Sequence, residues 1–275
     1  MFSVVGQSKS NLSRLAVTLL LTLTVLFTLM PSPHLVFAKP SKKSAAVVDK
    51  TIQLSLRSCV DFRPYVINEQ GKKQWLGRHT HFLYQVLHTA GIELEEPQRD
   101  SFSQCLALMK SGAIDVMPGL LYSDERAAYM DLLAYTPRAP IAVFYLPKHK
   151  SKIERARNVV IAYERGYILP TTIAKSFENS EFIDVISLSS GLQLLERERI
   201  DGFVAPLITI QDIMAEQGIN KDKFTYQMFS QAGDQVHIGL SQKSKRVSAD
   251  VKARILEAIQ TLKDDGTMAS ILEQK

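Results

Sequence analysis

From residue 51 onward the chain alternates short apolar runs of strand period with amphipathic runs of helical period, in two successive series. That alternation constrains the fold more than any single motif does, because each element has one apolar face that must be covered by an element of the other kind. In the first series Ile52, Leu54 and Leu56 alternate with Gln53, Ser55 and Arg57, which predicts a strand over 51–57. Asn68 to Lys72 carries a turn signal around Gly71. Phe82, Leu83, Val86 and Leu87 then recur at helical spacing, and Gly91 stops that helix, placed over 79–89. A strand over 92–95, a helix over 101–110 and a strand over 114–117 follow. Ser123, with Asp124 and Glu125 behind it, has the form of a capped helix start. A strand over 141–146 closes the series. Pro147 to Arg157 is dense in Lys and Arg and predicts a surface crossing. The second series has strands over 159–163, 183–186, 202–204 and 224–226, with helices over 171–176, 190–198 and 207–216 between them. A strand over 236–240 and helices over 247–262 and 266–272 finish the chain, the helices returning to the first series.

What precedes residue 51 reads as an address. Lys9 and Arg14 are followed by an apolar run from Ala16 to Met30, and Pro31 and Pro33 break it. A largely apolar run of fifteen residues is short for a membrane span and suits the core of a secretory signal. Val36-Phe37-Ala38 has the small residues of a cleavage site, so residues 1–38 are predicted to be removed after Ala38 and residues 39–50 to form a flexible lead-in. An uncleaved anchor is the alternative. Without the leader's two cations the net charge falls from +5 to +3, an ordinary balance that gives no case for nucleic acid. Export also bears on Cys59 and Cys105, the only cysteines in the chain. An even count in an oxidising compartment favours a bridge, with two separate buried thiols as the alternative.

Four stretches, in order, resemble the periplasmic solute-binding proteins of the polar-amino-acid-binding type, bacterial extracellular solute-binding proteins of family 3, which are receptors of ABC importers. The first is Cys59-Val60-Asp61-Phe62-Arg63-Pro64-Tyr65 with the later Leu76-Gly77. The second runs from Cys105 through Gly112 to Ile114-Asp115. The third is Gly119 to Ala127, similar to that family's Thr-x-Glu-Arg-Ala helix start, although one residue shorter before Arg126. The fourth is Glu198-Arg199-Ile200-Asp201-Gly202. The resemblance implies an α/β, two-lobed clamp of the type II periplasmic-binding-protein kind. Each lobe is a sheet flanked by helices, and a two-strand hinge joins them. Lobe one is expected over 51–143 plus 236–275 and lobe two over 147–230. Cysteines at both of these places in one branch of the family also favour the Cys59–Cys105 bridge.

The same resemblance nominates the site. Arg126 stands where the family's arginine pairs bidentately with a ligand carboxylate, a task that suits guanidinium geometry. Gly119, in the loop before it, is expected to offer backbone N–H groups to the same anion. Phe62, Phe102 and Tyr122 stand where aromatic walls face the ligand, while Tyr65 reads as packing behind Pro64. Arg165, in the first loop of lobe two, is expected to add a second positive charge. One position departs from the pattern: the aspartate that holds an amino acid's ammonium group is replaced by Pro206. A buried ammonium needs an anionic or carbonyl partner, so either another residue substitutes, Glu164 among them, or the solute is not a free amino acid.

His79, His81 and His88 are too sparse a set for a metal site and are expected to face solvent at a helix start. No metal, cofactor or catalytic group is expected. The implied function is capture of a small amino-acid-like or carboxylate solute by a periplasmic monomer that serves an inner-membrane ABC permease. The alternatives are a dehydratase-like enzyme with Glu164 as its acid, or an orphan sensor.

Overall fold

The computed structural model describes residues 54–136, 140–229 and 235–273. The predicted leader and lead-in lie outside them. The chain opens with β1 (Ser55–Leu56), β2 (Cys59–Val60), β3 (Tyr65–Ile67) and β4 (Lys73–Trp75), then α1 (Arg78–Thr89). β5 (Glu93–Leu94), β6 (Gln98–Arg99), α2 (Phe102–Ser111), β7 (Val116–Leu121), α3 (Asp124–Ala127) and β8 (Met130–Thr136) complete the first series. The second comprises β9 (Ile141–Tyr145), α4 (Lys150–Arg155), β10 (Arg157–Glu164), α5 (Thr171–Ser176), β11 (Asn179–Val185), α6 (Leu188–Glu196), β12 (Gly202–Pro206), α7 (Leu207–Gln217) and β13 (Thr225–Met228). β14 (Val236–Ser241), α8 (Ala249–Asp264) and α9 (Thr267–Leu272) end the chain.

Hydrogen bonding sorts these strands into two bodies. In the first, β14 lies antiparallel between β7 and β8, β1 pairs with β5 and β2 with β6, both parallel, and a bridge from Ser58 to Val116 ties the small pairs to β7. The second is a five-stranded sheet in the order β11-β10-β12-β9-β13. Ile141–Tyr145 pairs throughout with β12 and β13. Residues 141–143 therefore belong to the second sheet, which corrects the expected boundary after 143. The chain passes between the sheets from Thr136 to Ile141 and from Phe229 to Val236. The expected hinge falls on these passages, much of which lies outside the described residues.

Each aspartate of the two Ile-Asp motifs anchors its sheet. Asp115 is fully buried; it accepts from the Arg57 backbone N–H at 2.8 Å, from Arg57 Nη2 at 2.7 Å and from Ser244 Oγ at 2.6 Å. Asp201 accepts from the Val160 N–H at 2.9 Å and from Lys152 Nζ at 2.6 Å. Lys152 belongs to α4, so part of the basic stretch expected as a plain crossing is a helix, held by burial of Ile153. α8 and α9 do return to the first body: Arg254 of α8 donates to the Ala90 carbonyl at the end of α1, with its Nε at 3.0 Å. Gly191 lets α6 sit against Phe203 of β12, where an added Cβ would stand 2.3 Å from the ring.

The cysteines are bridged. Cys59 of β2 and Cys105 of α2 are joined with their Cα atoms 5.5 Å apart, both fully buried among Met109, Ile114, Met117 and Leu120. α2 is held at its start by Ser101 Oγ, which accepts from the Gln104 N–H, and it ends on Gly112 in the left-handed region at φ 80°. The bridge thus fastens the strand leading into Asp61 and Phe62 to the helix that begins with Phe102. The bonded residues are 46 apart in sequence, so replacing both with alanine is expected to lower stability by about 2–4 kcal/mol on loop-closure grounds. Urea unfolding of the oxidised protein and the double variant measures the difference.

Candidate functional site

A cavity opens where the two bodies meet. Its walls come from Asp61, Phe62, Gly77, His79 and Thr80 at the start of the chain, from Phe102, and from Met117 to Gly119. The second body contributes Glu164, Tyr167, Leu188, Pro206, Thr209 and Asp212. The space open to the centre of a water-sized sphere is about 60 Å³, enough for a handful of waters on a scale of roughly 10–15 Å³ each.

Arg126 is only 4% exposed. It sits in the single turn of α3, where Ser123 Oγ accepts from its backbone N–H at 3.2 Å. Its guanidinium donates through Nη1 to the Leu121 carbonyl at 2.7 Å and through Nη2 to the Gly166 carbonyl of the other body at 2.9 Å. Its Cζ stands 5.5 Å from the centre of the Phe102 ring. Among the described residues no carboxylate lies within 4.0 Å of it, so it is not consumed by Asp124 or Glu125. Burial lowers its pKa, with nearby Tyr129, Tyr167 and Glu125 opposing. Arg126 therefore stands beside the cavity rather than in its wall, and the Gly166 carbonyl takes one of the donors that a ligand anion would use. Gly166 comes this close because it lacks a side chain: an added Cβ would stand 3.2 Å from Leu106 Cδ1, and its φ of 87° also favours glycine.

The aromatic expectations divide. Phe62 and Phe102 line the cavity, and the Phe62 ring packs where a Cβ on Gly77 would be, 2.2 Å away. Tyr122 does not line it. It is 56% exposed, donates to Asp124 Oδ1 at 3.1 Å and leans on His237. The reason is strand parity: residues 116–121 are β7 rather than a loop, and the chain turns outward at 122. Gly119 does line the cavity, at φ 77°. Arg165 is also outside the cleft, exposed and paired with Asp184 at 2.5 Å. It opens the turn that follows β10, closed by the Tyr167 N–H on the Glu164 carbonyl at 2.9 Å, and its side chain is directed to Asp184 of the neighbouring strand β11. Tyr65 packs edge-on against Trp75 and donates to Glu96 at 2.6 Å.

Glu164, named from the sequence as a possible substitute partner, does line the cavity, whereas Asp61 and His79, which also line it, and Arg78 beside it were not singled out as solute-binding groups by the sequence. His79 does not face solvent. Its Nδ1 is 2.7 Å from the Tyr135 hydroxyl, and burial, helped by the Arg78 cation, holds its pKa down to about 4. Arg78 spans the boundary: its backbone N–H and Nε each donate to the Asp212 carboxylate at 2.8 Å, and Nη2 donates to the Ile208 carbonyl. Asp61 and Glu164 both line the cavity, one from each body, close enough for the two carboxyls to act on each other. Glu164 is 2% exposed, and its Oε1 has no partner among the described residues. Burial is the largest cause of the raised pKa of each, and the Asp61 charge raises Glu164 further. Among the described residues no group of three or more His, Cys, Asp or Glu side chains is placed to hold a metal ion.

Fold and cavity together define a ligand-binding clamp, and the comparisons name its class. Residues 54–274 match the family model of the bacterial extracellular solute-binding proteins, family 3, and the chain belongs to that family. The family is extracellular, which places the protein outside the cytoplasm. Among solved structures it is similar to an amino acid ABC transporter substrate-binding protein, AbpA, from Streptococcus pneumoniae bound to L-arginine. The two share 20% identity over 80% of this chain and 92% of that one, with a TM-score of 0.64. A periplasmic His/Glu/Gln/Arg/opine family-binding protein from Silicibacter pomeroyi in complex with lysine is 18% identical over 80% and 95%, at a TM-score of 0.60. A histidine kinase sensor domain is 19% identical over 80% and 93%, at 0.59. At these identities the likeness shows the type II fold alone. No curated protein sequence matches the chain.

Glu164 yields a prediction about stability. Its folded-state pKa lies above the ordinary 4.5, so the folded form holds a proton that the unfolded form gives up. Its contribution is complete below the ordinary carboxylate range and is lost as pH rises through the folded-state value. Glu164→Gln is therefore expected to match the wild type near pH 4 and to become progressively more stable than it toward pH 8. Urea midpoints across that range, taken as the difference between the two proteins, read the effect.

Proposed function

We propose that this protein is a periplasmic receptor that captures a small amino-acid-like solute between its two bodies and delivers it to an ABC permease of the inner membrane. The leader over 1–38 exports it, with cleavage after Ala38, and the mature chain acts as a monomer that binds rather than converts its solute. The observation that carries this reading is Arg126: a buried guanidinium at the seam, with no carboxylate within 4.0 Å among the described residues. A guanidinium has five N–H donors, and two carbonyls take only part of that capacity. The ligands in the titles of the similar structures, L-arginine and lysine, are carboxylates with an amino group, and they support the same class here.

The two passages between the sheets act as the hinge. Opening separates Gly166 from Arg126 and enlarges the cavity. A solute carboxylate then replaces the Gly166 carbonyl, and closure lets both bodies contact the solute, so ligand selects the closed form. Phe62 and Phe102 form the apolar walls, with Gly119 and Pro206 between them.

A thermal-shift screen of protein purified from the periplasm tests the reading. A ligand that binds only the folded state at about a hundredfold excess over its Kd adds about 2.7 kcal/mol, or roughly 5–10 °C for a chain of this size. At least one amino acid is expected to give such a shift, Arg126→Glu to abolish it, and Arg126→Lys to weaken it by losing the bidentate fork. A shift unchanged in Arg126→Glu contradicts the assignment.

A further inference from the structure

Helix α1 begins without a cap of its own. Its N-cap residue is Gly77, which has no side chain to offer. None fits there, because the Phe62 ring stands 2.2 Å from where a Cβ would be. The first N–H of the helix, that of Arg78, is instead accepted by Asp212 Oδ2 at 2.8 Å, and Asp212 belongs to α7 of the other body. A carboxylate is favoured at a helix N-terminus both as an acceptor and by the helix dipole. The first body's helix is thus capped by the second body.

The Arg78 side chain returns the contact. Its Nε donates to Asp212 Oδ1 at 2.8 Å, and its Nη2 donates to the Ile208 carbonyl at 3.1 Å and to Gln211 Oε1 at 3.0 Å. One residue of α1 therefore holds three residues of α7, and the two ions are only 14% and 17% exposed. Arg126, by comparison, gives the second body one bond to a neutral carbonyl. A charge-assisted pair joined at two points is the stronger kind of tie. Arg78 is not in the wall of the cavity between the bodies. It lines a separate groove between α1 and α7, together with Trp75, Gln211, Asp212, Ala215 and Glu216.

We infer that Arg78 and Asp212 form a latch that holds the two bodies together with or without solute, and so set how fast solute enters and leaves without binding it. The kinetic part rests on the solute-capture reading; the latch itself does not. A solute carboxylate that takes the place of Gly166 on Arg126 leaves the Arg78–Asp212 pair intact. The same latch must therefore open for entry and for exit. Weakening it raises both rates, and the Kd moves less than the dissociation rate does. Loss of a solute contact has a different signature, since it acts on dissociation and leaves association nearly unchanged.

Solution X-ray scattering of the protein purified from the periplasm, with no solute added, reads the latch directly. Acrylamide quenching of Trp75, the only tryptophan of the chain and a residue of the groove wall, reads it independently. Asp212→Ala is expected to have a larger radius of gyration than the wild type and a more readily quenched Trp75. Asp212→Asn keeps an acceptor for the Arg78 N–H and is expected to fall between them. Stopped-flow kinetics with L-arginine and L-lysine as probes supply the second arm. Dissociation from Asp212→Ala is expected to be roughly thirtyfold faster, the scale for losing one partner of a buried charge pair, with association faster as well. Should Asp212→Ala fail to unfold cooperatively, Arg78→Gln breaks the same pair from the other side and carries the same predictions. Equal radii and equal quenching in variant and wild type overturn the latch. So does a dissociation rate that rises while association stays fixed, which would make Asp212 a solute contact. No binding of either probe to the wild type counts against the solute reading alone, and the scattering still decides the latch.

Discussion

Where the two bodies meet, Arg78 at the first turn of α1 reaches the carboxylate of Asp212 in α7 through both its backbone and its side chain. Both side chains are mostly buried, at 14% and 17% exposure. Ions held this far from water are stable only when paired and fully hydrogen-bonded, so the contact ties the first body to the second. Arg126 makes the second such tie, to the Gly166 carbonyl. The rest of the cleft depends on these contacts. They set how closely Glu164 approaches Asp61, how small the cavity is, and how much a ligand must displace in order to enter.

Against that frame the unmatched charges divide into two poles. Arg126 is a cation with spare donors, and the Asp61–Glu164 pair is an anion with a spare acceptor. Phe62 and Phe102 lie among them and keep the dielectric low, which strengthens each pole's attraction for an opposite charge and raises the cost of leaving it alone. The disulfide contributes by holding the Asp61 segment to the start of α2, which fixes Phe62 relative to Phe102.

Much of this was readable in the sequence where one local rule decides the outcome. Ser101 and Gly112 bracket α2, the periodic apolar residues of α1 face the core, and the Ile-Asp pairs end up as sheet anchors. The family resemblance rested on the same segments. Parity and long-range placement were not readable. Tyr122 and Arg165 lie beside cavity residues in the chain, yet a one-residue step turned each outward. β8, with Leu132 and Leu133 adjacent, has no clean alternation because both its faces are partly covered. The Asp61–Glu164 pair joins residues about a hundred positions apart, and no spacing rule brings them together. Glu164 still carried a signal, as an acid at the end of an apolar strand, where a solvated role is hard to arrange.

A crystal structure of the complex with whichever amino acid gives the largest thermal shift tests the account most directly. The prediction is a solute between Phe62 and Phe102, with its carboxylate on the Arg126 guanidinium in place of the Gly166 carbonyl. A solute bound elsewhere, or one in the cleft with Arg126 still on Gly166, would contradict it.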